Sequence, residues 1–423
     1  MTQRGDGPLH DRRSFLSQAG GAMLLGLTAG AGTGAMEHPE HRGSAQDQKV
    51  DGVDARRIRL FLCGDVMTGR GIDQIQPHPG DPRLFEPYVR SALQYLEIAE
   101  RASSPIPRAV GPAYIWGDAL ADLDRARPDV RIVNLETAVT KTGEPWPGKG
   151  IHYRMHPANI GCLTAAQIDC CVLANNHVLD WGHDGLLETI AVLRGAGLRI
   201  AGAGRDEAEA CTPAAIELPQ GGRVLVFGFG SSSSGVPEEW AAARRRPGVC
   251  MLDEDDSRAV EQVARLVRAA QRPGDVVVAS IHWGGNWGHG VPDEQRLLAH
   301  RLIEDAGVDL VHGHSSHHPR PIEVHLGKLI LYGCGDFLND YEGIGGYEAF
   351  RPELGFIYLP ELDASDGRLL RLVLVPTRIG GFRVNRATDD ERRWLLETLN
   401  REAHRVGTRL LEQQDGSLEL QWT

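Results

Sequence analysis

The sequence predicts an α/β fold in which polar residues gather where strands end. Two observations carry this. Short apolar runs recur along the chain, each closing on a cluster of Gly, Asn, His, Asp or Glu, as buried strands running into loops do. Between several of them lie patterns of helical period, and that alternation belongs to folds whose sites form at the carboxyl ends of strands.

In order, the runs are "RIRLFLCGD" (residues 57–65), "DVRIVNLET" (129–137), "IDCCVLANNH" (168–177), "GLRIAGAG" (197–204), "RVLVFGFG" (223–230), "DVVVASIHWG" (275–284), "VDLVHGH" (308–314) and "KLILYGCGD" (328–336). Helices are predicted in "DGLLETIAVLRGAG", Asp184 to Gly197, and in "DSRAVEQVARLVRAAQRPG". The tail "TDDERRWLLETLNREAHRVGTRLLEQQ" opens on a capping-box pattern, Thr388 to Glu391, and reads as one long amphipathic helix before a short strand in "SLELQW". The expected organisation is a signal peptide at 1–36, a polar linker at 37–57, the main domain at 58–385 and a C-terminal helix and strand at 386–423.

With 423 residues, 41% of them hydrophobic and 24% charged, the chain is long enough to bury a large core and shows no repeat. A formal net charge of -12 excludes a nucleic-acid binder, which needs clustered basic residues; the one dense basic run, Arg244 to Arg246, reads as a solvated loop. The same charge repels polyanions at long range, so an anionic substrate needs local capture by a metal or a few arginines. Seven cysteines, odd in number and without a CxxC pair, read as small buried residues rather than a disulfide framework or a zinc site.

"DRRSFLSQAGGAMLLGLTAGAGTGA" places Arg12 and Arg13 before an apolar, Gly-rich stretch that ends in small residues near Ala35. It resembles a twin-arginine signal, so the expected location is the periplasm or cell envelope, whether the signal is cleaved or kept as an anchor.

Collected at the strand ends are Asp65, Asn134, Glu136, Asn175, Asn176, His177, His282, His314, His317 and Asp336. Carboxylates, amides and imidazoles without a thiolate suit Mn, Fe, Zn or Mg. "HGHSSHH" (312–318) holds four histidines, of which His314 and His317 are the expected ligands. His312 belongs behind them or in the core, and His318 touches substrate or caps the turn. Arg70, Arg154 and Arg320 are the candidates to neutralise an anionic small-molecule or polymer substrate, each equally readable as a structural ion pair.

The motifs "GDVMTGR", "VNLETAVT", "VLANNHVLDWGHDGLLETI", "AGAG", "IHWGGNW" and "GHSSHHPRPIEV" occur in that order. From about Arg59 to Pro376 the chain resembles the bacterial capsule-synthesis proteins of the CapA/PgsA type, linked to poly-γ-glutamate, which share the calcineurin-like metallophosphoesterase fold. The resemblance implies a four-layer α/β/β/α sandwich and one or two divalent metal ions (Mn, Fe or Zn). It implies Asp65 on the first metal, Glu136 in the bridging position, Asn176 and His282 on the second metal, and His314 and His317 as the closing pair. Asn176 and His177 are the catalytic candidates, His177 as proton donor. Met67 stands where the superfamily carries a ligating His, and Glu136 is longer than the usual bridging Asp, so the first metal position is weakened.

Three functions stay open: a metal-dependent phosphoester hydrolase of envelope or capsular polymer, an accessory protein of the capsule-synthesis machinery, and a metal-dependent amide hydrolase. Polymer synthesis itself is not expected, because "GAGRDEA" lacks the Lys-Ser/Thr of a nucleotide loop.

Overall fold

The computed structural model describes residues 57–252 and 257–423. The signal reading and nearly all of the linker lie outside the described residues. Among the described residues no helix is long and apolar enough to cross a membrane.

Two sheets face each other. In the first, the strand Val130–Leu135 pairs in parallel with Arg57–Phe61 and Asp65–Val66 on one side and Cys170–Val172 on the other, and Cys170–Val172 pairs in turn with Arg199–Ala201. Beyond Arg57–Phe61 the sheet turns antiparallel through Leu354–Asp363 and Leu369–Ile379. The second sheet has a parallel centre, Arg223–Gly230, Val276–His282, Leu310–His314 and Lys328–Leu331, with antiparallel edges Ala214–Glu217 and Ile322–His325. Parallel strands buried on both faces need continuous apolar runs, which is the pattern the sequence carries.

Three apolar layers fill the spaces. One lies between the first sheet and its helices, with Leu96, Leu123, Leu163 and Leu193 packed under Phe61, Val133 and Cys171. The middle layer joins the two sheets, with Ile58, Leu60, Ile132 and Val172 against Val224, Val276, Val278 and Leu310. The third packs the helices Arg258–Ala270 and Asp293–Glu304 on the outer face of the second sheet through Val263, Val267, Leu298 and Leu302. The order is therefore helix, sheet, sheet, helix. Full burial of each such side chain contributes about 1.5–3 kcal/mol.

The tail differs from its reading. Its helix is capped by Thr388 with Glu391 as expected, but spans only Asp389–Ala403. A 3-10 turn, His404–Val406, follows and closes on Gly407 at φ 70°, and "TRLLE" (Thr408–Glu412) forms a strand paired with Leu418–Trp422. Glycine tolerates that left-handed backbone without a Cβ clash. The hairpin extends the first sheet through Val373–Glu419 and Leu374–Leu418, and Leu395 and Leu399 of the helix join the inter-sheet core.

The cysteine reading also needs correction: Cys211 and Cys250 form a disulfide with Cα atoms 5.1 Å apart, while Cys63, Cys162, Cys170, Cys171 and Cys334 are free and buried. The ladder of Ala203–Gly204 with Gly248–Val249 brings the pair together.

Candidate functional site

Register places the polar residues. Across the first sheet Asp65 pairs with both Asn134 and Asp336; across the second, Gly230, His282 and His314 stand in one row. The two rows meet where the sheets face, so residues separated by more than 200 positions converge. Two Gly-Asp steps are pressed together there: the Asp65 amide donates to the Gly335 carbonyl at 2.9 Å, and a Cβ on Gly64 would lie 1.9 Å from that oxygen. No other residue fits at position 64.

Asp65 is 1% exposed; its Oδ1 accepts from the Asn134 amide at 2.7 Å and its Oδ2 from the Ser315 backbone N–H at 3.1 Å. Ser315 adopts φ 96° to present that N–H, a strained backbone held by its surroundings. Burial first, and Asp336 second, lift the Asp65 carboxyl to about 7. Glu136 is likewise raised well above the carboxylate range by burial, with Asp65 and Asp336 adding to it. Its Oε1 lies 3.7 Å from His282 Nε2 and 3.8 Å from His177 Nε2.

His282 Nδ1 and His314 Nδ1 are 2.8 Å apart, and His314 Nδ1 is 3.8 Å from Asp65 Oδ1. The protons follow from one fixed acceptor. His312 Nε2 must donate to the Cys63 carbonyl at 2.8 Å, so its Nδ1 accepts from the Ser280 hydroxyl at 3.0 Å. Ser280 then accepts from His314 Nε2 at 3.0 Å, so His314 Nδ1 is an acceptor, facing Asp65 and the Nδ1 of His282, which can donate to it. Burial first, then neighbouring imidazoles, holds His314 and His282 well below their usual pKa, so both rings are neutral.

His177 stacks on Tyr153 with ring centroids 3.7 Å apart. Its Nδ1 donates to Asp180 Oδ2 at 2.7 Å, the shorter of that nitrogen's two contacts; Lys149 Nζ, 3.1 Å from it, is engaged by Asp180 Oδ1 at 2.6 Å and the Ile151 carbonyl at 3.0 Å. Nε2 therefore carries the lone pair and points toward Glu136. Burial, followed by Lys149, pushes its pKa well down. His177 is thus neutral without a ligand, and a proton-donor role requires uptake of a proton when an anionic group binds.

His317 sits apart from His314, its Nδ1 3.1 Å from both oxygens of Asp336 and its Nε2 3.1 Å from the Asn286 amide. Burial opposes its charged form, yet Asp336 and Asp65 outweigh that and raise its pKa. Asn176 leaves its buried Oδ1 without a hydrogen-bond partner, and a Cβ on Gly235 would lie 3.6 Å from its Nδ2. That turn carries Ser234, whose hydroxyl donates to the His282 carbonyl at 2.7 Å and so supports the strand end that bears His282.

The arginines are committed elsewhere. Arg70 is buried, bonded to Asp340 and 3.0 Å from Glu86, with its guanidinium 3.8 Å over the Tyr95 ring. Arg320 donates to the Gly285 carbonyl at 2.6 Å and to Gln295 at 3.4 Å. Arg154 lies over Trp181 at 3.6 Å. Arg70 and Arg320 close internal charge and backbone gaps, and Arg70 also lines the cavity that holds Trp287 and Tyr341. His318 is buried, its Nδ1 3.1 Å from the Pro319 carbonyl, so it does not meet substrate. Met67 offers no ligand atom outward; its sulfur accepts from the Gly69 N–H at 3.2 Å. The loop from Lys149 to Arg154, "KGIHYR", resembles a substrate-side loop of the family, though its chemistry alone does not require that; it supplies Lys149 and Tyr153, whereas Asp180 escaped the sequence reading as a site residue. Asp180, three residues after His177, was the available signal.

The donors present fit a divalent cation. Asp65, His282 and His314 each bring a ligand atom within 4.8 Å of the others, and all three are buried. The His314 Nδ1 lone pair, 2.8 Å from His282 Nδ1, is met by the N–H of a neutral His282 or by a metal ion. His282 Nε2 and Asn176 Oδ1 add two buried polar atoms with no partner, a costly state that a ligand would relieve.

A two-sheet sandwich with a buried imidazole–carboxylate cluster at its strand ends defines the class of protein. Residues 59–341 match the model of the "Bacterial capsule synthesis protein PGA_cap" family, and the chain belongs to that family. It is 48% identical over 364 residues to the "Probable polyglutamine synthesis accessory protein MT0602" of Mycobacterium tuberculosis, covering 86% of this chain and 96% of that one. It is 27% identical over 299 residues to the "PGA biosynthesis protein CapA" of Bacillus subtilis, covering 70% of this chain and 67% of the relative. A solved phosphatase structure from Mycoplasma pneumoniae is similar at a TM-score of 0.41 and 10% identity, over 76% of this chain and 94% of that one; the layer order above rests on this chain's own strands.

Proposed function

We propose that the protein is an exported metal-dependent hydrolase that acts on an ester of an anionic envelope or capsular polymer. The observation that carries the reading is the convergence of Asp65, Glu136, His282 and His314 beside a His177 whose proton position is set by Asp180. When bound, one or two divalent ions supply Lewis-acid polarisation and an acidified water. Asp65, Glu136, Asn176, His282 and His314 would hold them.

The chain's own groups do the rest. Asp180, neutralised by Lys149, keeps His177 Nδ1 protonated and its Nε2 turned toward Glu136. His177 takes a proton at Nε2 when an anionic ester binds and gives it to the leaving oxygen, a contribution of about 100- to 10,000-fold. Tyr153, stacked on the ring, keeps water from that face. A cavity of about 300 Å³ lined by Trp287, Asn339, Tyr341 and Tyr347 adjoins His317 and offers room for the rest of a polymer unit.

The second reading is an accessory protein of poly-γ-glutamate synthesis, whose metal site binds carboxylates without turnover. It is favoured by the 48% identical mycobacterial relative, named a probable polyglutamine synthesis accessory protein, and by Met67, which supplies no ligand. The discriminating experiment assays the purified protein with Mn, Fe and Zn in turn on phosphomonoesters, phosphodiesters and γ-glutamyl peptides. Metal-dependent phosphoester turnover supports the first reading, cleavage of the γ-glutamyl peptides indicates an amide hydrolase, and metal binding without any turnover overturns both enzyme readings in favour of the accessory role.

A further inference from the structure

Away from the strand ends, the helix Asp293–Glu304 faces the edge strand Ile322–His325. His300 and Glu304, four apart on the helix, share one of its faces, and Glu323 and His325, two apart on the strand, share one face of the sheet. His300 Nε2 lies 3.0 Å from Glu323 Oε1, and His325 Nε2 lies 2.6 Å from Glu304 Oε1. The two imidazoles stack with centroids 3.8 Å apart and planes 4° from parallel. Ligand atoms of His300, Glu323 and His325 fall within 4.8 Å of one another.

We propose that His300, Glu323 and His325, with Glu304 as the fourth donor, form a second divalent-cation site of the zinc type, independent of the strand-end cluster. Two nitrogens and two carboxylates without thiolate match that ion's chemistry. Neutral rings donate an Nε2–H to each carboxylate, and one divalent ion can replace both protons, drawing the two ring nitrogens and the two carboxylates onto one centre. Glu323 is already oriented from behind, by Arg296 at 3.1 Å and the Tyr332 hydroxyl at 2.7 Å, the outer support that ligating carboxylates have. Both histidine side chains are 20% exposed, so an ion has a way in.

The site's place gives it a role. The helix follows the loop that sets Asn286 and Trp287 against His317, and the strand follows the turn from Ser315 to Arg320. A cation joining helix to strand clamps the roots of both loops while standing outside the candidate active site.

The test uses the full-length protein, with Zn2+ alone in equilibrium dialysis and Co2+ in parallel. A His282→Ala, His314→Ala variant should still bind one zinc ion per chain and give the strong visible absorption of low-coordinate Co2+; adding His300→Gln and His325→Gln should remove both signals. Equal zinc in the two variants, or none in the first, overturns the proposal. Should the first variant fail to fold, His300→Gln, His325→Gln in the otherwise unchanged chain must hold one zinc fewer than wild type, and equal stoichiometry overturns it.

Discussion

His312 donates from Nε2 to the carbonyl oxygen of Cys63 at 2.8 Å, and this bond crosses from the second sheet to the first. Through Ser280 it fixes which nitrogen of His314 stays bare. Ser280→Ala breaks that relay without touching a ligand. Divalent-metal affinity should fall about 10- to 100-fold, the usual cost of losing an orienting partner, with the melting temperature nearly kept. Chelator competition measures it; unchanged affinity would mean that the tautomer of His314 is set some other way.

For His177, the expected signature is loss of turnover without loss of metal. His177→Asn should lower hydrolysis at least about 100-fold, and Asp180→Asn should act in the same direction by releasing the ring. Metal content by elemental analysis and a thermal melt accompany the kinetics. A parallel fall in metal, stability and activity assigns the residue a structural part instead.

The placement of the strand-end residues was legible because a short apolar run followed by a polar cluster has one common outcome in an α/β chain: the cluster sits at the mouth of the sheet. Asp65, Glu136, His282 and His314 followed that rule. Lys149 and Tyr153 did not, since they arrive on a loop whose course depends on contacts with Asp180 and His177 rather than on its own pattern. Arg70 shows the same limit. Sequence shows a cation near a motif, but not that Glu86 and Asp340 already surround it. Cys211 and Cys250 stand 39 residues apart in unremarked contexts, and only the ladder beside them reveals the bridge.

That bridge predicts a stability effect. By the chain-entropy argument a loop of 39 residues contributes about 4 kcal/mol, so Cys211→Ser with Cys250→Ser should destabilise the protein by up to that amount. Denaturant unfolding of both forms without metal gives the difference. A change below about 0.5 kcal/mol would leave the disulfide without a stabilising part.

Export is tested at the signal itself. Replacing Arg12 and Arg13 by Lys should hold the protein in the cytoplasm, because the paired arginines are what a twin-arginine receptor reads. Cell fractionation decides, and normal export of the double-Lys variant would leave a general signal or an anchor.

The bond from the Ser315 amide to Asp65 joins positions 250 residues apart. During synthesis the first carboxylate leaves the ribosome long before its partners exist, and contacts so distant in sequence are among the last that a folding chain completes. The cluster can therefore select a metal only once nearly the whole chain is finished and folded. Under the proposed export of the folded chain, the cytoplasmic metal pool, rather than the pool outside, would be the supply from which the site is filled.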